Sequence, residues 1–166
     1  MKKFIYFLIF YICILSPSFG AIQYEITGLT DSANSYTPGV DTGNITDTQA
    51  FCVRMKLTGG DMGSPTDYKV TASSGNATGT TFRVYDSIST YVPYDIDWHD
   101  TGDQTGITTN LDSGVQSGTI NNADSANPAC SGGNDASFSL IMTEADIQPA
   151  ITGTYTDTLT IIIGPV

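Results

Sequence analysis

The residues best equipped for chemistry stand together in Asp95-Ile-Asp97-Trp-His99-Asp100-Thr-Gly-Asp103, four carboxylates and the sole imidazole of the chain within nine positions. Such a set could bind a cation or move a proton. A calcium loop, however, wants alternating Asp/Asn, a fixed glycine and a closing glutamate, and that spacing is not here. Zinc wants three or four convergent nitrogen or sulfur ligands, and one is local. A glycosidase wants two carboxylates facing each other across a cleft, which sequence neither provides nor excludes. The plain reading is a strand's solvent face, Asp95 and Asp97, running into a solvated loop; a weak calcium site and catalysis are the sharper alternatives. Serine elbows, phosphate-cradling glycine loops and paired metal-binding histidines are absent from the sequence. The expectation is therefore a structural or binding module, not an enzyme, with no catalytic residue, metal or cofactor.

The chain opens Met-Lys-Lys and stays apolar from Phe4 to Leu15 apart from the hydroxyls of Tyr6 and Tyr11, before Ser16-Pro-Ser18-Phe-Gly20-Ala21. A short basic start, an apolar run of roughly 12 residues and small residues ahead of the cut describe a secretory signal peptide. A membrane anchor would need about 20. The expected division is a leader, residues 1–20, and one mature domain, residues 21–166, with no membrane insertion after cleavage. Lys2 and Lys3 leave with the leader, so four of the 6 basic residues remain against 17 acidic ones. A chain that acidic has nothing to neutralise phosphates, which argues against nucleic acid or anionic lipid as partners.

Cys13 leaves with the leader too, and Cys52 and Cys130 remain as an even pair in an oxidising compartment, expected to bond to each other. A catalytic thiol at either would have to be served by His99, the single histidine. Cys52 falls on the polar file of its strand, so the disulfide is expected to clip the outer side or end of a sheet.

These residues need a scaffold, and the alternation of apolar side chains says which kind. Ile22, Tyr24 and Ile26 share one file, with Gly28 in phase; Thr30 to Thr48 reads as loop with a short edge strand near Tyr36. Phe51, Val53, Met55 and Leu57 then alternate, as do Tyr68, Val70 and Ala72, the pair Phe82 and Val84, and Val92, Tyr94, Ile96 and Trp98. Val115 and Ile120 mark a weaker strand, Phe138, Leu140 and Met142 another, and Glu144 to Gln148 suffices for one helical turn. In the final stretch Tyr155, Leu159, Ile161 and Ile163 face one way, and Thr154, Thr156, Thr158 and Thr160 the other. Some eight short strands without a helix-length segment predict an all-β, antiparallel sandwich, with a closed barrel as the alternative. A terminal apolar strand with no later partner must find its second neighbour elsewhere in the sheet or in another polypeptide.

Phe51-Cys52-Val53 with Cys130, Tyr68-Lys-Val70-Thr-Ala72-Ser73, Phe82, Tyr94-Asp-Ile96-Asp-Trp98 and above all Gly153-Thr-Tyr155-Thr-Asp157-Thr-Leu159 together resemble the secreted subunits of chaperone–usher fimbriae, in the archaic or spore-coat-U-like branch. The chain ends Gly164-Pro165-Val166, where the better-known pilins carry a near-terminal tyrosine. The resemblance implies an immunoglobulin-like sandwich lacking its final strand, held by a periplasmic chaperone, passed to an outer-membrane usher and completed by the tail of another fimbrial subunit at the cell surface. It places Tyr155, Leu159, Ile161 and Ile163 at the chaperone and donor-strand groove. Ile22, Tyr24, Ile26 and Gly28 are then either a donor tail or the domain's own first strand. The competing function is a free-standing secreted carbohydrate- or surface-binding module, for which Tyr91, Tyr94 and Trp98 would be the stacking residues.

Overall fold

The computed structural model describes residues 22–31, 33–37, 40–57, 60–61, 66–123 and 133–166. The expected leader, residues 1–20, and Cys130 lie outside them. The elements run β1 (Ile22–Thr27), β2 (Ile45–Leu57), β3 (Gly60–Asp61), β4 (Thr66–Ser74), β5 (Phe82–Tyr85), β6 (Tyr91–His99), β7 (Thr108–Leu111), β8 (Ile120–Ala123), β9 (Ala136–Met142), α1 (Glu144–Ile147) and β10 (Leu159–Pro165). One sheet has the order β1-β2-β9-β6-β5, with β3 beside β2 and β7 beside β6; the other has the order β10-β4-β8. Every pairing between these strands is antiparallel. The result is an immunoglobulin-like β-sandwich of two separate sheets, not a closed barrel.

The alternation seen in the sequence becomes the core. Phe51 and Val53 on β2, Ile96 and Trp98 on β6, and Tyr68, Val70 and Ala72 on β4 are all buried, the two sheets meeting through them. Phe51, Val53, Val70 and Ile96 each contribute roughly 1.5–3 kcal/mol by leaving water. Trp98 is 0% exposed, with Phe51 edge-on at 4.9 Å and Tyr68 at 6.3 Å between ring centroids. Its indole N–H donates to the Tyr68 hydroxyl at 3.1 Å, so the polar atom of the largest core residue is paired across the two sheets.

Several expectations change. The strand placed at Phe51 begins at Ile45, and the region of Tyr36 is irregular, with the Tyr36 hydroxyl donating to the Asp41 carbonyl. Val115 is exposed and lies outside any strand, while β7 had no apolar pattern to announce it. Cys52 is on the outward file as expected, yet it is 1% exposed. The reason is that this outer face is covered: Ser137 and His99, on the outward files of β9 and β6, are buried too, and the Ser137 hydroxyl donates to the carbonyl of Thr101 in the loop above.

Candidate functional site

Strand β10 pairs with β4 from Leu159↔Ser74 to Pro165↔Tyr68, and among the described residues it has no strand on its other edge. Its burial records this: Leu159, Ile161 and Ile163 face the core but stay half-buried, while Ile162 faces out. Beside that edge opens a groove of about 1200 Å³ between the sheets. Its walls are Leu159 and Ile161 from β10, Ile45 and Gln49 from β2, and Phe138, Leu140 and Met142 from β9, with Val84, Val92 and Tyr94 at the back. Burial on β9 falls from Phe138, which is enclosed, to Leu140 and Met142, which are not, as one wall of an incompletely filled core should.

The groove's near end is fixed by the segment that leads into β10. Thr156 exchanges both backbone hydrogen bonds with Tyr85 of β5, at 2.9 and 3.0 Å, before the chain crosses to β4. The Tyr94 hydroxyl donates to Asp157 Oδ2 at 2.6 Å, and Asp157 Oδ1 accepts from the Asn76 N–H and side-chain amide at 3.1 Å. Burial, followed by the Asp157 contact, pushes the Tyr94 phenol well above its ordinary range. The Tyr155 hydroxyl donates to the Ile151 carbonyl at 3.0 Å. The Gly-x-Tyr-x-Asp element of the sequence thus fastens the start of the last strand to both sheets.

Of the residues singled out in the sequence, Tyr155, Leu159 and Ile161 line the groove, whereas Ile163 packs on the core beyond its lining. The β2 side of the groove was missed, because Thr46, Asp47, Thr48 and Gln49 show no apolar alternation. Ile22–Thr27 forms β1, paired with β2 from Ile22↔Leu57 to Thr27↔Cys52, so in the single chain the segment is part of its own sheet. Tyr24 and Ile26 pack on the core. Gly28 follows at φ +97°, a left-handed conformation that calls for glycine. The chain then runs along β2, where the Gln49 amide takes the place of a strand: it accepts from the Thr30 N–H at 3.0 Å and donates to the Thr30 carbonyl at 2.7 Å.

The acidic cluster follows expectation in part, with Asp95 and Asp103 exposed. His99 and Asp100 are buried, not solvated. Asp100 Oδ1 accepts from the Ile107 N–H at 2.6 Å, Asp103 Oδ1 from the Thr105 N–H and hydroxyl, and Asp97 from the Asn110 amide, so these carboxylates fold the loop. Among the described residues no three His, Cys, Asp or Glu side chains gather as a metal ion would require. Tyr94 and Trp98, candidate sugar-stacking residues, are buried in the core; Tyr91 is 44% exposed, but Tyr85 stacks on it at 4.4 Å and the Arg83 guanidinium lies 4.1 Å from its centroid. Among the described residues no helix is long and apolar enough to cross a membrane.

A two-sheet sandwich whose last strand borders an open groove is the class of protein that fold and site define. No family model matches the sequence, and no curated protein matches it. Among solved structures, the chain is similar to one from a chaperone–tip adhesin complex of CFA/I fimbriae biogenesis, with TM-score 0.59 and 12% identity over 87% of this chain. This chain spans 42% of that one's length. At this identity the likeness is one of fold.

Proposed function

We propose that this protein is a structural subunit of an extracellular adhesive fimbria, of the archaic or spore-coat-U-like branch, assembled by donor-strand exchange with a periplasmic chaperone and an outer-membrane usher. The observation that carries this is the groove beside β10, where one strand edge and a row of half-buried apolar side chains stand ready for an added strand. The fimbrial origin of the structural neighbour supports the same reading. In it, residues 1–20 direct export and are removed before Ala21, the mature domain 21–166 passes through the periplasm to the cell surface, and Cys52 bonds to Cys130. Tyr155, Leu159 and Ile161 flank the acceptor groove, and Ile163 continues their file onto the core. The segment carrying Ile22, Tyr24, Ile26 and Gly28, folded as β1 in the single chain, serves the next subunit.

The test is a chain lacking Ala21 to Leu29, co-expressed with the chaperone. It should yield a folded, chaperone-bound subunit that forms no fibres. Fibres of normal length from that chain would overturn the donor role, and a mature chain that never engages chaperone or other subunits would overturn the whole reading. Mass spectrometry of non-reduced peptides should find Cys52 joined to Cys130.

A further inference from the structure

Among the described residues two buried side-chain oxygens lack a hydrogen-bond partner, Asp47 Oδ2 and Asp86 Oδ2. Asp86 explains itself: its other oxygen accepts the N–H groups of Ile88, Ser89 and Thr90 and shapes the β5–β6 turn. Asp47 has a different setting. On β2 it shares the inward file with Ile45 and Gln49, both groove-lining, and it stands opposite Leu140 of β9, also groove-lining. A carboxyl oxygen out of water and without a donor destabilises the fold, so a strand that entered the groove and supplied a donor would recover that loss.

The candidate occupant is a second copy's segment Ile22 to Gly28. On its apolar file, Ile22, Tyr24, Ile26 and Gly28, one residue alone carries a polar atom, the Tyr24 hydroxyl. Among the described residues that hydroxyl has a single long contact, 3.4 Å to the Asp67 carbonyl. A strand lying along β2 puts its side chains opposite and diagonal to those of the Asp47 file, and the diagonal neighbour is within reach of an aromatic side chain.

We propose that Asp47 is the selectivity group of the groove and accepts a hydrogen bond from Tyr24 of a second copy. The proposal rests on the strand-acceptor reading above. It makes the groove discriminate: a purely apolar strand leaves the Asp47 oxygen unpaired, whereas this chain's own segment satisfies it and fixes its register in the same step.

Synthetic peptides covering residues 21–30, labelled for fluorescence anisotropy, test this on the mature full-length chain. The wild-type peptide should bind, the Tyr24→Phe peptide about tenfold more weakly, and the Ile26→Asp peptide not measurably. Against the Asp47→Leu chain, wild-type and Tyr24→Phe peptides should bind within about twofold of each other. Asp47→Asn, which keeps an acceptor, should preserve the preference for tyrosine and covers the case in which Asp47→Leu fails to fold. Equal binding of wild-type and Tyr24→Phe peptides to the wild-type chain, with Ile26→Asp still excluded, would overturn the Asp47 pairing alone. No binding of the wild-type peptide, or equal binding of Ile26→Asp, would overturn strand acceptance itself.

Discussion

The Tyr94 hydroxyl meets the Asp157 carboxylate at 2.6 Å, joining β6 of one sheet to the segment that enters β10 of the other. Asp157 also collects two donors from Asn76, at the turn after β4, so three parts of the chain converge on one carboxylate. Tyr94→Phe removes one bond and should lower stability by about 1–2 kcal/mol; Asp157→Ala removes an acceptor shared by three donors and should cost more. Urea midpoints of the two variants test the order. Equal midpoints would mean that the Asn76 contacts carry no weight.

Burial raises the phenols of Tyr68 and Tyr94 far above the ordinary value of about 10. Below that pH both folded and unfolded chains keep these protons, and the stabilisation is complete. Above it the unfolded chain releases protons that the folded chain retains, so stability must fall as pH rises. Denaturation midpoints should drop above about pH 10, and phenolate absorbance from these two residues should appear only with unfolding. At the acid end, burial alone would raise the Asp86 carboxyl, but hydrogen bonds from Thr90, Ile88 and Ser89 outweigh it and hold the group at about 2. Its contribution is present above the ordinary carboxylate range and should be lost as pH falls toward that value, which Asp86→Asn would abolish in an acid titration.

Asp100 fastens the loop after β6 to the Ile107 N–H, and a Cβ on Gly106 would collide with its carboxylate. Asp100→Ala should cost about 1–3 kcal/mol and open the cover over Ser137 and His99. Hydrogen exchange at Ile107 should accelerate with it. Added calcium or a chelator should leave the midpoint where it was, and a shift on chelation would reveal a cation in this loop.

Ile161 and Ile162 are neighbours that face opposite ways. Ile161→Asp puts a charge on the core face and should cost more than about 3 kcal/mol. Ile162→Asp changes a side chain that is 59% exposed and should stay within roughly 0.5 kcal/mol. Thermal unfolding of both distinguishes the faces, and a tolerated Ile161→Asp would contradict the orientation of β10.

The sandwich was legible wherever one face of a strand is apolar and the other polar: Tyr68 to Ala72 and Val92 to Trp98 could be read directly. The floor of the groove was not, for the same physical reason. Asp47 and Gln49 point polar groups inward, where pattern reading expects hydrocarbon, so the first half of β2 looked like loop. Leu140 and Met142 read as ordinary core, since sequence carries no mark of a side chain left half-covered. The fate of Asp100 was hidden because a carboxylate that accepts backbone N–H groups and one that faces water have the same letter. The outward face of Cys52 was legible, but alternation cannot say what lies over that face.

The ladder between β10 and β4 has a mechanical corollary. Its register pairs seven residues, alternate ones of which carry hydrogen bonds directed across the strands, so tension applied along β10 loads those bonds side by side and all must yield within the same short displacement. Pulling the strand away sideways would instead undo them one after another, at far lower force. The Thr156–Tyr85 pair and the Asp157 junction stand at the start of this strand, where a peeling motion from that end would have to begin. A molecule stretched lengthwise through β10 is therefore strong in the direction of the chain and weak across it, and single-molecule extension along the two geometries should give clearly separated rupture forces.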